Sequence, residues 1–192
     1  MTMPFKFPSV VTQETIPNEL TGIPSISWND LEYLTTSGSY AVTQKPLYTI
    51  SGVWMEKFLS NTNPITCTGF NFADNNQTVV GIEFELSIQR ASRIEDMVIQ
   101  LTLNGDIIGE NRASTVNPVQ SDTNTGEFTT PLSPAGDYHV YGSATDMWGT
   151  TLTSADIANP TFGIVISFKS NPIYPHSDLA YVNQAGIRVT YG

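Results

Sequence analysis

Strict alternation of apolar and polar residues in the stretch "VGIEFELSIQRA", residues 80–91, is the feature that most constrains the fold of this chain. Successive side chains of a β-strand point to opposite faces of a sheet, so the stretch predicts a strand with one apolar and one polar face. The apolar set is Ile82, Phe84, Leu86 and Ile88, and the polar set is Glu83, Glu85, Ser87 and Gln89. A strand with one solvated face is typical of an antiparallel sheet.

A second stretch, "MVIQLTL" at residues 97–103, repeats the pattern with Met97, Ile99, Leu101 and Leu103 on its apolar face. It runs into Asn104-Gly105, which favours a type I′ hairpin turn because both residues accept positive φ, and residues 106–113 are predicted to form the returning strand. Further strands are predicted at residues 46–55, 65–72, 137–144, 162–169 and 185–191. Short strands at this spacing, without a long helix, predict an all-β fold: an antiparallel β-sandwich of jelly-roll type over residues 26–192.

Residues 1–25 are predicted to form an extended N-terminal arm that precedes the sandwich. They carry prolines at Pro4, Pro8, Pro17 and Pro24 and show no sustained periodicity. Proline at this density opposes helix and favours extended chain. A disordered tail would gain nothing from apolar residues, so we expect the arm to lie along a neighbouring subunit of a homo-oligomer. The side chains expected to be buried there are Phe5, Phe7, Val10 and Val11.

The charge balance of the chain argues against two classes of partner. Acidic side chains outnumber basic ones 18 to 8, which gives a formal net charge of −10. Such a surface repels nucleic-acid phosphates and anionic membranes, so neither partner is expected. The N-terminus lacks the long apolar run of a secretory signal or membrane span, which predicts synthesis in a reducing cytoplasm. Cys67 is the sole cysteine, so we expect no intrachain disulfide and a small buried side chain.

The stretch "DMWGTTLTSADI", residues 146–157, crowds two aspartates, a tryptophan and several hydroxyl groups together. Its second half matches a helix N-terminus, because the Thr153 hydroxyl can cap a turn in which Asp156 is the third helical residue. Asn159-Pro160 would then end that turn. Calcium binding by Asp146 and Asp156 is the alternative, but the spacing matches no EF-hand loop. We therefore expect neither a metal nor another cofactor, and a structural role for this stretch.

Trp148, beside Gly149, is predicted to pack in the core or at a protein interface, since tryptophan at a strand end commonly caps its own sandwich. The alternative is a sugar-stacking platform, which would make the chain a carbohydrate-binding or host-adhesion module. Trp28, Trp54 and Tyr141 are the other candidates for such a platform.

Catalytic chemistry is not expected. His139 and His176 are the available imidazoles, and His176 lies in a proline-rich loop. Asp137, His139 and Ser143 supply the residue types of a triad, but the strand lacks the sharp turn that exposes a nucleophilic serine. Glu83 and Glu85 are neighbours on one strand face, which is typical of a solvated stripe and not of a glycosidase acid–base pair. No glycine-rich phosphate loop is present.

The order of motifs in this chain resembles a β-sandwich module of tailed-bacteriophage virion proteins and phage-derived sequences. The resemblance covers residues 26–192 and is carried by residues 27–30, 38–41, 80–92, 96–113, 141–157, 160–170 and 180–192. Its most specific parts are the strand ending in Arg90-Ala91, the Asp146 to Gly149 segment, and Phe162-Gly163. The resemblance implies a non-enzymatic virion structural protein, as a head decoration, collar, tail or fibre-associated component. The partners that it implies are other virion proteins, and no catalytic residues are carried over.

Overall fold

The computed structural model describes residues 1–14, 25–26, 28–29, 31–35, 41–43, 61–90, 94–113, 137–170 and 180–192. The predicted strand at 46–55, residues 15–24 of the predicted arm, Trp54 and His176 lie outside the described residues.

Strands account for most of the described chain. They are β1 Val10–Gln13, β2 Ser25–Ile26, β3 Trp28–Asn29, β4 Ala41–Thr43, β5 Asn61–Thr62, β6 Ile65–Thr68, β7 Val79–Arg90, β8 Ile94–Leu103, β9 Asp106–Ile108, β10 Asp137–Ser143, β11 Gly163–Ser170 and β12 Ala180–Tyr191. A 3-10 helix spans Leu31–Thr35, and one α-helical turn, α1, spans Ser154–Ala158.

The strands form two sheets. In the first, β6 lies between β1 and β11, β8 pairs with the other edge of β11, and β9 is the hairpin partner of β8. The short β5 pairs with the end of β11, and β2 pairs with β5 in the parallel direction. The second sheet has the order β10–β7–β12–β4–β3 and is antiparallel throughout. The predicted all-β antiparallel sandwich is confirmed.

From β6 onward, each connection between described strands changes sheet, except for the β8–β9 hairpin. This repeated crossing is the kind of connectivity found in jelly-roll sandwiches. It places consecutive strands in opposite sheets, so that most of the packing joins parts of the chain that are distant in sequence.

The predicted alternation in β7 is confirmed where its side chains are described. Ile82, Phe84 and Leu86 are fully buried, whereas Glu83 and Glu85 are partly exposed. In β8 the inner face is deepest at Ile99 and Leu101, while the flanking Met97 and Leu103 are half-buried.

The predicted hairpin turn is confirmed, because Asn104 has φ 57° and Gly105 has φ 88°. The returning strand is shorter than predicted, since β9 ends at Ile108 and not at residue 113. Gly109, at φ 70°, turns the chain out of the sheet, and the Glu110 amide then donates to the Trp148 carbonyl at 2.6 Å. The chain therefore leaves β9 to form a hydrogen bond with the turn at Trp148, which is distant in sequence.

The strand predicted at residues 65–72 also ends early, at Thr68. Gly69 takes φ 71°, in the left-handed region that glycine enters without strain. Phe70 and Phe72 beyond it are nevertheless buried, with ring centroids 6.5 Å apart. Their apolar character reflects core packing by a loop and not continuation of the strand.

One hydrophobic core fills the space between the sheets. The first sheet contributes Ile65, Cys67, Ile99, Leu101, Ile164, Ile166 and Phe168, and the second contributes Val79, Ile82, Phe84, Leu86, Tyr141, Val182, Ile187, Val189 and Tyr191. Alternate residues of the strands predicted at 162–169 and 185–191 lie in this core: Phe162, Ile164, Ile166 and Phe168 from the first, and Ile187, Val189 and Tyr191 from the second.

Cys67 provides a chemical probe of that core. Burial raises the pKa of its thiol to about 12. At pH 8, where a thiol reagent attacks the thiolate, only about one molecule in ten thousand then carries the reactive form. We expect Cys67 to resist a disulfide reagent in the native chain and to react with one equivalent after unfolding in guanidinium chloride, as measured by absorbance. Rapid labelling of the native chain would contradict the buried position of β6.

Candidate functional site

Trp148 lies at the centre of the corner that the sequence singles out. Its side chain has no exposed surface, and its indole Nε1 donates to the Ile82 carbonyl at 2.9 Å. Trp148 itself has φ 56° and Gly149 has φ 67°, so the chain reverses direction at this point. The turn thereby drives a large aromatic side chain inward against β7.

Gly142, in β10, makes room for the indole. A β-carbon at this position would lie 2.6 Å from Trp148 Nε1 and 2.3 Å from the Ile82 carbonyl oxygen, and the residue has φ 77°. Both the space and the backbone conformation therefore require glycine. The indole, the strand edge and the glycine form one packed unit.

The Asp146 carboxylate stabilises the turn that contains Trp148. Its Oδ1 accepts from the Trp148 amide at 2.8 Å and from Arg112 Nη2 at 2.7 Å. The other terminal nitrogen of Arg112, Nη1, lies 2.8 Å from Glu110 Oε2. The Asp146 carboxylate therefore fixes the backbone of its own turn and the segment after β9, and both partners belong to the same chain.

Asp156 performs the predicted capping function. The Asp156 amide donates to Thr153 Oγ1 at 3.2 Å, and Asp156 Oδ2 accepts from the Thr153 amide at 2.8 Å. The helix ends at Asn159, whose amide donates to the Asp156 carbonyl at 3.2 Å. The predicted helix start and stop are both confirmed.

Asp74 is tied to the same helix. The Ser154 hydroxyl donates to Asp74 Oδ1, which also accepts from the Asn76 amide at 3.2 Å. These hydrogen bonds, that from Ser154 first, lower the pKa of Asp74. Asp74, Asp146 and Asp156 thus each hold local backbone in place. Nowhere in the described ranges do three or more histidine, cysteine, aspartate or glutamate side chains converge as a metal-binding group.

The predicted sugar platforms that the structure describes are buried. Trp28 donates through Nε1 to the Asn63 carbonyl at 3.0 Å, and its ring meets Phe168 edge-on. Tyr141 donates its hydroxyl to Asp96 Oδ2 at 2.6 Å, across the core from β10 to β8. Trp148 is also fully buried, so the predicted position of its side chain in the core is confirmed. None of these three side chains presents an exposed ring face to a sugar. Contact of Trp148 with another protein stays a prediction.

The triad residue types do not form the geometry of a nucleophile site. His139 and Ser143 lie on β10, in register with Leu86 and Ile82 of β7. The Ser143 hydroxyl accepts from the Thr145 amide at 3.3 Å, in a local turn at the end of the strand. On β7, Glu83 makes a two-pronged contact with Arg188, at 2.8 and 2.7 Å, as a cross-strand ion pair.

The N-terminal segment, residues 1–13, is the part of the structure that sequence reasoning located least well. Its first six residues run antiparallel to β12 on the edge opposite β7. The Met3 amide donates to the Val189 carbonyl at 2.9 Å, Lys6 and Ile187 exchange hydrogen bonds at 2.8 and 2.9 Å, and the Tyr191 amide donates to the Met1 carbonyl at 2.8 Å. Beyond them β1 pairs with β6, so one segment covers edges of both sheets.

Side chains of this segment make specific contacts with the sandwich. The Phe5 ring lies 4.3 Å from the Arg188 guanidinium carbon, and Phe7 passes so close to Gly186 that a β-carbon there would lie 3.0 Å from its ring. Val11 packs against the core, whereas Phe7 and Val10 remain 45% and 49% exposed.

The extended conformation predicted for the N-terminus is therefore present in residues 1–14, but these residues lie on the chain's own sandwich. The prediction placed Phe5, Phe7, Val10 and Val11 against a neighbouring subunit. Alternation within β12 indicated only which of its faces is buried, and gave no sign that part of its outer edge needs a partner strand. Gly186 and Arg188, which receive the two phenylalanines, were not singled out by the sequence for the same reason.

The geometry thus defines a closed, all-β antiparallel sandwich whose polar corner is structural. No protein-family model, no curated protein and no solved structure matches the chain. None of the helical segments in the described part of the chain has the length and hydropathy needed to traverse a bilayer.

Proposed function

We propose that this chain is a non-enzymatic structural protein of a tailed-bacteriophage virion, made in the host cytoplasm and incorporated into the particle. The order of its motifs over residues 26–192 supports this assignment through its resemblance to virion sandwich modules. In this role the chain binds other virion proteins and further copies of itself as a head decoration, collar, tail or fibre-associated component.

The proposal depends on one observation: the side chains that could bind a substrate or a metal make their contacts within the fold. Asp146, Asp156 and Trp148 each bond to backbone of their own corner. Glu83 is held by Arg188, and the Tyr141 hydroxyl by Asp96. A site for substrate needs groups that converge on open space, whereas these groups converge on the chain itself.

The surface offers features suited to assembly. Val140 on β10 and Ile107 on β9 are 51% and 56% exposed, and Phe7 and Val10 lie on the N-terminal segment. Exposed apolar side chains beside strand edges favour contact with protein partners. The net charge of −10 keeps the free chain soluble before assembly. Because the described tryptophans and Tyr141 are buried, no observation favours the carbohydrate-binding alternative.

Purified particles test the proposal directly. An antibody raised against the folded chain is expected to detect it, at a fixed ratio to the major capsid protein, in gradient-purified virions of the phage that encodes it. Labelling followed by electron microscopy should then place it at one structural position. A matched infection with a strain lacking the gene controls for adhering host protein. Recovery of the chain only in the lysate, with none in the particle fraction, would reject the virion assignment.

A further inference from the structure

We infer that residues 1–13 exchange between copies of this chain, so that the N-terminal segment of one copy occupies the sheet edges of a second copy. The inference deepens the proposed function by naming a second copy as the partner. Its test uses purified protein, so its outcome is read separately from the virion experiment.

The sandwich has a core that does not depend on the N-terminal segment. Among the described residues, the buried hydrophobic residues of the core begin, in sequence order, at Trp28 and continue to Tyr191. From the segment, the partly buried Met3 and Val11 pack against this core, and Pro8 is buried. The segment can therefore leave while the buried interior stays in place, which is the first requirement for exchange.

If the segment leaves, the backbone groups that it pairs with on β12 (residues 187–191) and on β6 need another strand. We call these two strand edges together the seat. The Ile187 and Tyr191 amides and the Ile187 and Val189 carbonyls of β12 would lose their partners. On the other sheet, β6 would lose its pairing with Val10–Gln13. Rows of unpaired backbone groups on a sheet edge are a template for strand addition. Because both sheets expose an edge to the same short segment, a replacement strand must satisfy two edges at once.

Side-chain contacts make this seat specific for the chain's own N-terminus. Phe7 packs over Gly186, where a β-carbon would lie 3.0 Å from its ring, so that a larger residue would require the ring to shift. Gln13 accepts from the Trp28 amide at 2.9 Å through Oε1 and donates to the Trp28 carbonyl at 3.1 Å through Nε2. An unrelated strand would supply the backbone hydrogen bonds but not this pattern. The occupant that fits is therefore the same segment from a second copy.

Protein concentration decides which copy supplies the segment. Contacts in the seat are the same whether the segment comes from the same chain or another, so the balance depends on the effective concentration of the tethered segment. For a short tether this concentration is of the order of millimolar. The closed form then dominates in dilute solution, and exchange becomes competitive where copies are packed together, as in an ordered assembly.

The opposed pair Thr2 and Thr190 allows exchange to be trapped. Their hydroxyl oxygens lie 3.2 Å apart, and the pair is flanked by the hydrogen-bonded neighbours Tyr191 to Met1 and Met3 to Val189. It is therefore a non-hydrogen-bonded position, where side chains approach closely enough for a disulfide. One copy would carry Thr2→Cys, and a second copy, labelled with nitrogen-15, would carry Thr190→Cys, with Met1 retained in each. Neither copy can form a disulfide between positions 2 and 190 by itself.

The two copies are mixed under a glutathione redox buffer, and cross-linked peptides are identified by mass. We expect a disulfide that joins position 2 of the unlabelled chain to position 190 of the labelled chain. With an effective concentration of about 1 mM, the linked fraction should rise roughly fivefold from about 0.1 mM to about 1 mM protein. In the matched control, Asp106→Cys, at an exposed position on β9, replaces Thr190→Cys and should link at least tenfold less.

A single chain carrying both Thr2→Cys and Thr190→Cys should close internally and shows that the pair is competent. If it closes while the mixed copies link no better than the Asp106→Cys control at any concentration, exchange is rejected. If it does not close in a chain that circular dichroism shows to be folded, the seat itself is wrong and the inference fails with it.

Discussion

Trp148→Ala is expected to lower the free energy of unfolding by about 4 kcal/mol, because it removes a fully buried indole and leaves a cavity at the edge of the core. It also removes the donor that pairs with the Ile82 carbonyl, and a buried unpaired carbonyl adds to the loss. Single domains are commonly stable by only about 5–15 kcal/mol, so the variant should be close to unfolding at 25 °C. Urea denaturation followed by far-ultraviolet circular dichroism measures the change.

Phe7→Ala is the matched control, because Phe7 is also aromatic but is 45% exposed. Its expected effect is below about 1 kcal/mol. Equal shifts of the urea midpoint for the two variants would show that Trp148 is not a core residue. If the Trp148→Ala chain folded with unchanged stability, Trp148 would not be needed for the fold, and the segment around it would again be a candidate binding site.

The second large effect is expected for Gly163→Ala, at the start of the central strand β11. A β-carbon at residue 163 would lie 1.9 Å from the Cys67 carbonyl oxygen, and that oxygen belongs to the backbone of the neighbouring strand β6. Relief of this overlap requires β6 and β11 to separate and break their ladder. We expect destabilisation of about 3 kcal/mol, at the upper end of what overpacking costs. Differential scanning calorimetry should register it as a large fall in Tm.

Gly105→Ala separates the steric effect of Gly163 from the general cost of replacing glycine. Residue 105 has φ 88° but open space where its β-carbon would lie. Only backbone strain is expected there, at about 1 kcal/mol. If the Gly163 variant were no less stable than the Gly105 variant, the close approach of β6 and β11 would be contradicted.

Sequence periodicity predicted the sandwich because one face of a strand packs in the core while the other face contacts water. The polar and apolar sets in the described part of β7 report burial residue by residue, independently of which strands become neighbours. Turn chemistry was equally local. Asn104-Gly105 can form its turn, and Thr153 can cap its helix, through atoms that lie within three residues.

Strand ends were less predictable. β6 and β9 both end just before a glycine with positive φ, earlier than predicted. Phe70 and Phe72 continue the apolar pattern after β6, but they fill the core from a loop. Hydrophobicity reports burial and not hydrogen bonding, so it cannot mark the residue at which a ladder stops.

The sequence predicted the structural role of the residues in the candidate site, but it did not predict all of the residues that they contact. The expectation that Asp146, Trp148 and Asp156 brace the fold agrees with their contacts. The partners of that corner, Arg112 and Ile82, are 34 and 66 residues away in sequence, and no local pattern points to them. The cross-sheet bond from Tyr141 to Asp96 is of the same kind.

By itself, the sequence determined the class of fold, the inward faces of its strands and the structural character of its polar corner. Each depends on side-chain alternation or on groups close together in the chain. Tertiary structure decided which edges those strands expose, and that residues 1–13 lie along both sheets of their own chain. The physical reason is that an extended segment satisfies its backbone equally well on many edges, and only the three-dimensional placement of β6 and β12 selects among them.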